Sequence, residues 1–382
     1  MRTLSAYIHV PFCASRCGYC DFNTYTAAEL SRDGTSITTA TYPDRVIAEI
    51  NWLRKQNLAD DRQISTVFFG GGTPTMISAT DLVRILAATK TAYGLTSDAE
   101  VTTEANPDSV SLQDLEILRN GGFTRISFGH QSSASNVLQI LERTHTPGKT
   151  WQAIEDARKA GFEHVSVDLI YGTPGESEQD LIGTLNDVAN ADVDHVSAYS
   201  LIVEPGTKLA ARVARGEVLQ PSDDVAAYRY GVIDAALENM NMTWYEVSNW
   251  SKPGGECRHN IAYWKNQDWL GIGPGAHAHT SGTRSWNVKH PAAWAALIDA
   301  GSSPAADLEV LAPADIAHEE IMLRLRLREG LELKVLAEAG IAEAKLALAQ
   351  GLLEPTDFEM GMAVLTYKGR LLADGLVARL WA

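Results

Sequence analysis

Residues 4–22 read LSAYIHVPFCASRCGYCDF, and the rest of the chain is interpreted outward from them. Residues 4–10 alternate weakly and are rich in strand formers, so a first strand is expected there. It delivers a loop with Cys13, Cys17 and Cys20 in the spacing C-x3-C-x2-C, three of the four cysteines in 382 residues. Three thiolates in so short a loop can grip one inorganic centre. A structural zinc ordinarily takes four ligands, and no fourth Cys or His lies close by. A [4Fe-4S] cluster has four irons. Three cysteines leave one of them open to a further group, which makes such a site reactive. Tyr19 would lay an aromatic ring beside whatever binds. The structural alternative is three reduced thiols, or a zinc site completed from far along the chain.

After this loop the chain alternates strand and helix. Residues 24–41 are small and polar and are expected to form an exposed loop or lid. Residues 43–57 carry Val46, Ile47, Ile50 and Leu53 on one helical face. Strands are expected at 64–69, 99–103, 124–128, 164–170 and 195–203, with helices at 82–93, 112–119, 133–141, 150–160 and 181–190. Each strand runs into a polar or Gly-rich turn: Gly70-Gly71-Gly72-Thr73, Glu104-Ala105-Asn106-Pro107, Gly129-His130-Gln131-Ser132, Tyr171-Gly172-Thr173-Pro174 and Glu204-Pro205-Gly206-Thr207. Polar residues elsewhere in the strands are taken to be few. Six strand–helix units imply parallel strands joined by right-handed crossovers. Their functional residues gather at the carboxyl ends of the strands. The fold class is therefore α/β, a partial barrel of six strand–helix units.

Farther on, a helix is expected at 223–240, a strand at 243–249, and an irregular stretch rich in Trp, His and Gly at 250–294. Helices at 316–328, 334–339 and 343–350, a short hairpin and a last helix suggest a winged-helix shape. The division expected is a partial barrel over 1–250, an aromatic and Gly-rich region over 251–303 above the barrel mouth, and a winged-helix-like unit over 304–382. That last unit holds eight Lys/Arg and thirteen Asp/Glu. Net charge is −16 and the sequence pI is about 5.0. Both argue for packing or partner docking rather than nucleic-acid binding, which needs a basic surface. No run of about 18 apolar residues predicts a membrane span. The amino terminus lacks signal-peptide architecture, and clustered cysteines are no disulfide framework. A reduced, cytoplasmic setting is expected.

Several residues are candidates for binding. Three glycines at Gly70–Gly72 let a ligand approach the backbone closely; the plain alternative is a tight turn. Glu104, Gln131 and Asp168 suit hydroxyls and an ammonium group, and Arg143 suits a carboxylate. Singly each reads as a surface or capping group; at successive strand ends they read as one pocket.

The C-x3-C-x2-C spacing with Tyr19 before the last cysteine resembles the radical S-adenosylmethionine (SAM) signature. Tyr7-Ile8-His9-Val10-Pro11-Phe12, GGGTPT, TEANP, GHQS and DLIYGTPGE narrow it further. Nearly the whole chain is similar to the family that holds HemN-type oxygen-independent coproporphyrinogen III oxidases and HemW-type haem chaperones. The resemblance implies a [4Fe-4S] cluster on Cys13, Cys17 and Cys20, with the amino and carboxylate groups of SAM on the open iron. It implies a SAM pocket of Tyr7, Gly71, Gly72, Thr73, Glu104, Gln131, Arg143 and Asp168, with Tyr19 by the cluster. In active members an electron from the cluster splits SAM into methionine and a 5′-deoxyadenosyl radical.

Two features separate the branches. The oxidase pattern has a further cysteine two positions after the third; here that position is Phe22. Cys257-Arg258-His259-Asn260-Ile261-Ala262-Tyr263-Trp264 resembles the H-N-x-x-Y-W signature of the chaperone branch, associated with haem. An imidazole can ligate haem iron, and aromatic rings can pack on the macrocycle. His259, Cys257, Tyr263 and Trp264 are therefore the haem candidates, with His277 and His279 as lesser ones. The plain reading is a hydrogen-bonded loop histidine and a core tryptophan. The resemblance implies haem and an unidentified haem-acceptor protein as partners, and leaves a homodimer open. The alternative function is oxidative decarboxylation of coproporphyrinogen III.

Overall fold

The first strand shows how the sheet is built. Leu4, Ala6, Ile8 and Val10 pack into the core shared with the helices, while Ser5, Tyr7 and His9 lie on the other face. Side chains alternate along a strand, so one face makes the hydrophobic core and the other a polar interior. The computed structural model describes residues 2–32, 37–56, 61–144, 146 and 148–381. Strands Ile64–Gly71, Leu95–Ala105, Arg125–Gln131, His164–Tyr171 and His195–Ser200 join Leu4–Val10 in sequence order, all parallel. Helices Tyr42–Gln56, Ala79–Tyr93, Leu112–Asn120, Lys149–Ala160 and Glu178–Asn190 run between them. Ser78, Ser111 and Ser177 cap three of these helices by accepting a backbone N–H three residues on, which fixes where each begins.

The twelve-stranded sheet has a linear order and does not close; it is a partial barrel. The hairpin of Thr243–Glu246 and Asn249–Ser251 adds antiparallel strands beside His195–Ser200. The expectation of irregular structure over 250–294 is corrected. That stretch holds helix Arg258–Trp264, strands Asp268–Ile272, His277–Thr280 and Thr283–Asn287, and the start of helix Pro291–Asp299. Asp268–Ile272 pairs parallel with the first strand, and Ala305–Val310 ends the sheet on that side. The fastening point is Glu49, whose carboxylate accepts from Gly273 N, Asn287 Nδ2 and Trp294 Nε1 at 2.7–2.9 Å. Such a tie between distant segments leaves no local pattern in the sequence.

Two other expectations change. Of residues 24–41, Tyr25–Thr26 is a short strand pairing with Phe12–Cys13, and Ala27–Arg32 is a helix. Leu30 and Ile37 are buried, so this is no free loop; residues 33–36 lie outside the described ones. The strands also carry many polar residues, Ser5, Thr66, Glu100, Thr102, Arg125, Ser127, Ser166 and His195 among them, all buried. An interior lined with hydrogen-bonding groups is what a site requires, in place of the apolar stacking of a filled barrel.

The last segment has its own apolar cluster, built on Ile321, Leu325, Leu331, Leu353, Ala363 and Leu376. Its elements include helices Pro313–Arg324, Glu338–Ala349 and Ala373–Leu380, and strand Leu331–Glu332 paired with Met362–Ala363. The helix expected at 334–339 is a 3-10 turn, Leu333–Val335, and the next helix begins at Glu338. Arg370 fastens this unit to the barrel through Asp234, with contacts of 2.6 and 2.8 Å, and lies over the rings of Tyr230, Trp244 and Tyr367.

Candidate functional site

The cysteine loop leaves the first strand and is sewn to the second. Gly72 N donates to Val10 O at 2.8 Å and Thr73 N to Phe12 O at 2.7 Å. A Cβ on Gly72 would stand 2.5 Å from Phe12 O, and one on Gly71 (φ 108°) would meet the His9 ring. These two glycines are therefore required by the close approach of two strand ends, a reason the sequence alone does not reveal. Gly72→Ala is expected to push the cysteine loop away and to destabilise the chain by about 1–3 kcal/mol, the usual cost of overpacking. Reduced iron uptake and a lower urea midpoint are the readouts; a variant matching wild type in both would refute this role.

Farther round, Gly18 N donates to Leu141 O and Leu209 N donates to Gly18 O, so the loop is held from the far side too. Cys13, Cys17 and Cys20 are free and partly exposed. Burial, with Cys20 beside it, pushes the Cys13 thiol up to about 11. Cys20 is raised as well, first by burial. Thiols so placed lose their protons when a positive centre arrives. Tyr19 packs on the satellite cluster of Val137 and Leu141 and reaches Cys17. Among the described residues no three His, Cys, Asp or Glu side chains gather as a site for one metal ion. A cube that gives each thiolate its own iron does not need such a gathering; a lone zinc does.

Behind the loop lie two half-buried carboxyls. Glu104 accepts from Gly71 N at 3.2 Å, and Asp168 accepts from Ser127 Oγ at 3.0 Å. Burial, then repulsion from Asp168, pushes Glu104 up to about 8. Burial also raises Asp168, against Ser197, Ser127 and Arg143. Arg143 donates to Gly129 O at 2.7 Å and stands 3.7 Å from Cys17 Sγ, with its Nε buried and unpartnered. Gln131 sits at a bulge with φ 70°, which turns it toward Gly129 and Arg143. Tyr7 joins through His9. The Asn23 carbonyl can only accept, so His9 Nε2 donates to it at 2.9 Å and Nδ1 accepts from the Tyr7 hydroxyl at 3.0 Å. Asn23 also donates to Pro274 O and Lys289 O. His9 and Asn23, missed by the sequence reading, clip the cysteine loop to the turn at residues 273–275. All nine residues expected around SAM are brought to the carboxyl ends of the strands or their interior.

The H-N-x-x-Y-W segment is not at that mouth. Helix Arg258–Trp264 closes the opposite, amino end of the barrel. Glu100, one strand layer from the start of Arg125–Gln131, accepts from Arg258 N and His259 N at 3.1 and 2.9 Å. Arg125 bonds Glu100 and donates to Gly255 O and Glu256 O. His259 is 2% exposed. Its Nδ1 meets Thr66 Oγ1 at 2.7 Å and its Nε2 meets the Tyr263 hydroxyl at 2.9 Å. Thr66 already donates to Ser5 Oγ, so Nδ1 carries the proton and Nε2 accepts from Tyr263. The lone pair that iron would need is taken. Cys257 is buried, its thiol pushed up to about 12, and it contacts Glu100. Tyr263 packs edge-on against Trp269, with ring centroids 4.7 Å apart, and Trp264 is half-buried. The expectation that this segment lies above the barrel mouth is therefore corrected: as folded, these four residues are the barrel floor. Between this floor and Glu104 and Asp168 lies a cavity of about 140 Å³.

Comparison with known proteins places this geometry. Residues 7–188 match the Radical SAM superfamily. The chain is 46% identical to the heme chaperone HemW of Mycobacterium tuberculosis over 381 residues, 99% of this chain and 95% of that one. This chain belongs to the HemW family of radical SAM proteins. The HemW of Bacillus subtilis is 35% identical over 87% of this chain and 86% of its own. In fold, this chain is similar to the coproporphyrinogen III oxidase HemN of Escherichia coli, with a TM-score of 0.82 at 23% identity over 99% of this chain and 90% of that one. Radical SAM proteins carry a [4Fe-4S] cluster and SAM, and the donors at the mouth fit both: three free thiols for irons, paired half-buried carboxyls for an ammonium, and a guanidinium for a carboxylate.

Proposed function

We propose that this chain is a haem chaperone, which binds haem and passes it to an acceptor protein. The carrying observation is its identity over almost its full length with proteins named for that task. Phe22, 62% exposed in the cysteine loop, supports the same branch: an apolar ring stands where the oxidase pattern has a cysteine. Cys13, Cys17 and Cys20 hold the cluster. Tyr7, Gly71, Gly72, Thr73, Glu104, Gln131, Arg143 and Asp168 hold SAM, with Tyr19 beside Cys17. When bound, the cluster and SAM supply reductive radical chemistry.

The chain's own part includes a proton. Glu104, raised to about 8 by burial and by Asp168, is protonated at pH 7 in the free protein. A SAM ammonium beside it favours the carboxylate, so binding expels that proton. Calorimetry at pH 7 in buffers of different ionisation enthalpy is expected to show up to about one proton released per SAM, and none in Glu104→Gln. Equal release in both proteins would remove Glu104 from the site. The sign for folding is opposite: a carboxyl raised in the folded state loses stability as pH climbs from its unfolded value through about 8.

The oxidase reading rests on the fold shared with HemN. Anaerobic incubation of the reconstituted protein with reductant, SAM and coproporphyrinogen III discriminates the two. Protoporphyrinogen formation would sink the chaperone-only reading. Saturable haem binding, followed by transfer to an apo-acceptor without turnover of coproporphyrinogen, is the expected result.

The acidic balance supports partners other than nucleic acid. Among the described residues no helix is long and apolar enough to cross a membrane, and the free cysteines support a reduced, cytoplasmic setting. A homodimer fits the fully exposed edge strand Ala305–Val310, since an unpaired edge invites a second strand. We take the chain as a barrel over 1–250, a sheet extension and floor that runs past 303 to the edge strand Ala305–Val310, and a unit of helices and one short strand pair beyond it.

A further inference from the structure

Thr24 follows the cysteine loop and leads into the short strand Tyr25–Thr26. It is 1% exposed, and its hydroxyl oxygen has no hydrogen-bond partner among the described residues. Buried hydroxyls in native proteins are bonded, so this one is expected to find its acceptor in the loaded protein. The backbone on either side is fixed. Thr24 N donates to Phe22 O at 2.8 Å, and Tyr25 N donates to Pro11 O at 2.7 Å. Tyr25 and Thr26 pair in register with Phe12 and Cys13. Asn23, just before, donates to Pro274 O and Lys289 O. The chain therefore cannot carry this hydroxyl to a partner elsewhere.

What the hydroxyl faces is a pair of cluster cysteines. It lies beside the thiols of both Cys13 and Cys20. A neutral thiol is a weak acceptor. A thiolate is an anion, and hydrogen bonds to an anion are shorter and about twice as strong. Cys13 and Cys20 are thiolates once they hold iron. The place of Thr24 thus makes sense for the loaded protein. Other groups surround the same cysteines: Arg16 faces Cys20, Thr73 lies beside Cys13, and Arg143 stands 3.7 Å from Cys17 Sγ. A change at Thr24 leaves these groups in place.

We infer that Thr24 donates its hydroxyl hydrogen to the cluster thiolates of Cys13 and Cys20, and that this bond raises the reduction potential of the cluster. The inference rests on the cluster assignment and goes beyond it. Hydrogen bonds to the sulfurs are among the factors that set such a potential. Reduction adds negative charge, so a donor stabilises the reduced state more than the oxidised one. A higher potential makes the reduced cluster a weaker reductant toward SAM, as suits a carrier that does not depend on turning SAM over. Valine has nearly the shape of threonine, so Thr24→Val removes the donor and keeps the packing. Thr24→Ser keeps the donor and removes a methyl group.

The test is an anaerobic redox titration of the full-length, cluster-reconstituted protein without SAM. It is followed by electron paramagnetic resonance of the reduced cluster, with iron and sulfide counted in each sample. Wild type, Thr24→Val and Thr24→Ser are compared. At the wild-type midpoint, Thr24→Val is expected to hold a reduced-to-oxidised ratio about ten-fold lower, which is about 59 mV for one electron. Thr24→Ser is expected to match wild type. A Thr24→Val midpoint equal to that of wild type would overturn the inference. So would an equal fall in both variants, which would assign the effect to packing. If Thr24→Val loads no cluster, Thr24→Ser decides: full loading at the wild-type potential supports the hydroxyl, and failure in both variants overturns it. Absence of iron from the wild type would overturn the cluster assignment, and this inference with it.

Discussion

Cys17→Ser is expected to remove the [4Fe-4S] centre, taking iron from about four atoms per chain to near zero while the barrel stays folded. With three protein ligands for four irons there is no spare thiolate, because Phe22 occupies the neighbouring position and Cys257 is at the far end of the barrel. A hydroxyl does not replace a thiolate on this soft centre. The loop itself does not depend on the Cys17 side chain. It is held by the backbone bonds of Gly18 to Leu141 and Leu209, and by Thr73 to Phe12. Iron content and visible absorbance after anaerobic reconstitution check the first half, and far-ultraviolet circular dichroism the second. Full iron in the serine variant would refute the cluster assignment.

Arg125→Met is expected to lower the unfolding free energy of the barrel by about 3–5 kcal/mol, because it leaves the Glu100 charge buried without its partner. Arg125 is 1% exposed and Glu100 4%. Burial alone would raise the Glu100 carboxyl; Arg125, then the amides of His259 and Arg258, outweigh it and hold it below its ordinary value. Its contribution is therefore present above the unfolded carboxyl pKa and fades as pH falls through the folded one. The loss of Arg125 also strips the carbonyls of Gly255 and Glu256 of a donor. The double variant Arg125→Met/Glu100→Gln is expected to recover part of the loss, since the uncompensated charge is gone. Urea denaturation of the three proteins is the measurement. A single variant within about 0.5 kcal/mol of wild type would show that the floor is not anchored there.

These expectations differ in how far the sequence could have led to them. The three cysteines are close in the chain, so their partnership is local and visible. The strand ends Gly70–Thr73, Glu104, Gln131 and Asp168 are far apart, yet the α/β alternation brings them to one end of the sheet whatever the details of packing. Glu100 and Arg125 carried a weaker signal, two charges within otherwise ordinary strands. Nothing local distinguishes such a buried ion pair from two solvated charges. The region 250–294 departs from its expectation because strand Asp268–Ile272 pairs with Leu4–Val10, more than 200 residues away, and Glu49, Asn23 and Arg125 fasten its turns from other distant segments. His259 shows the limit of motif reading. Its chemistry suits iron, but Thr66 and Tyr263 already hold both ring nitrogens.

By itself, then, the sequence determined the α/β class, the cluster cysteines, the end of the sheet that carries the SAM pocket and the branch within the family. The class and the end of the sheet follow from residue spacing and from the direction in which parallel strands run; the cluster, the SAM pocket and the branch are what the resemblance carried by the motifs implies. Only the tertiary structure decided which end the Cys257–Trp264 segment closes, why Gly71 and Gly72 are glycine, and that both ring nitrogens of His259 are bonded. Those depend on side chains that meet across the sheet, where burial and competing hydrogen bonds decide whether a group is a ligand or a strut.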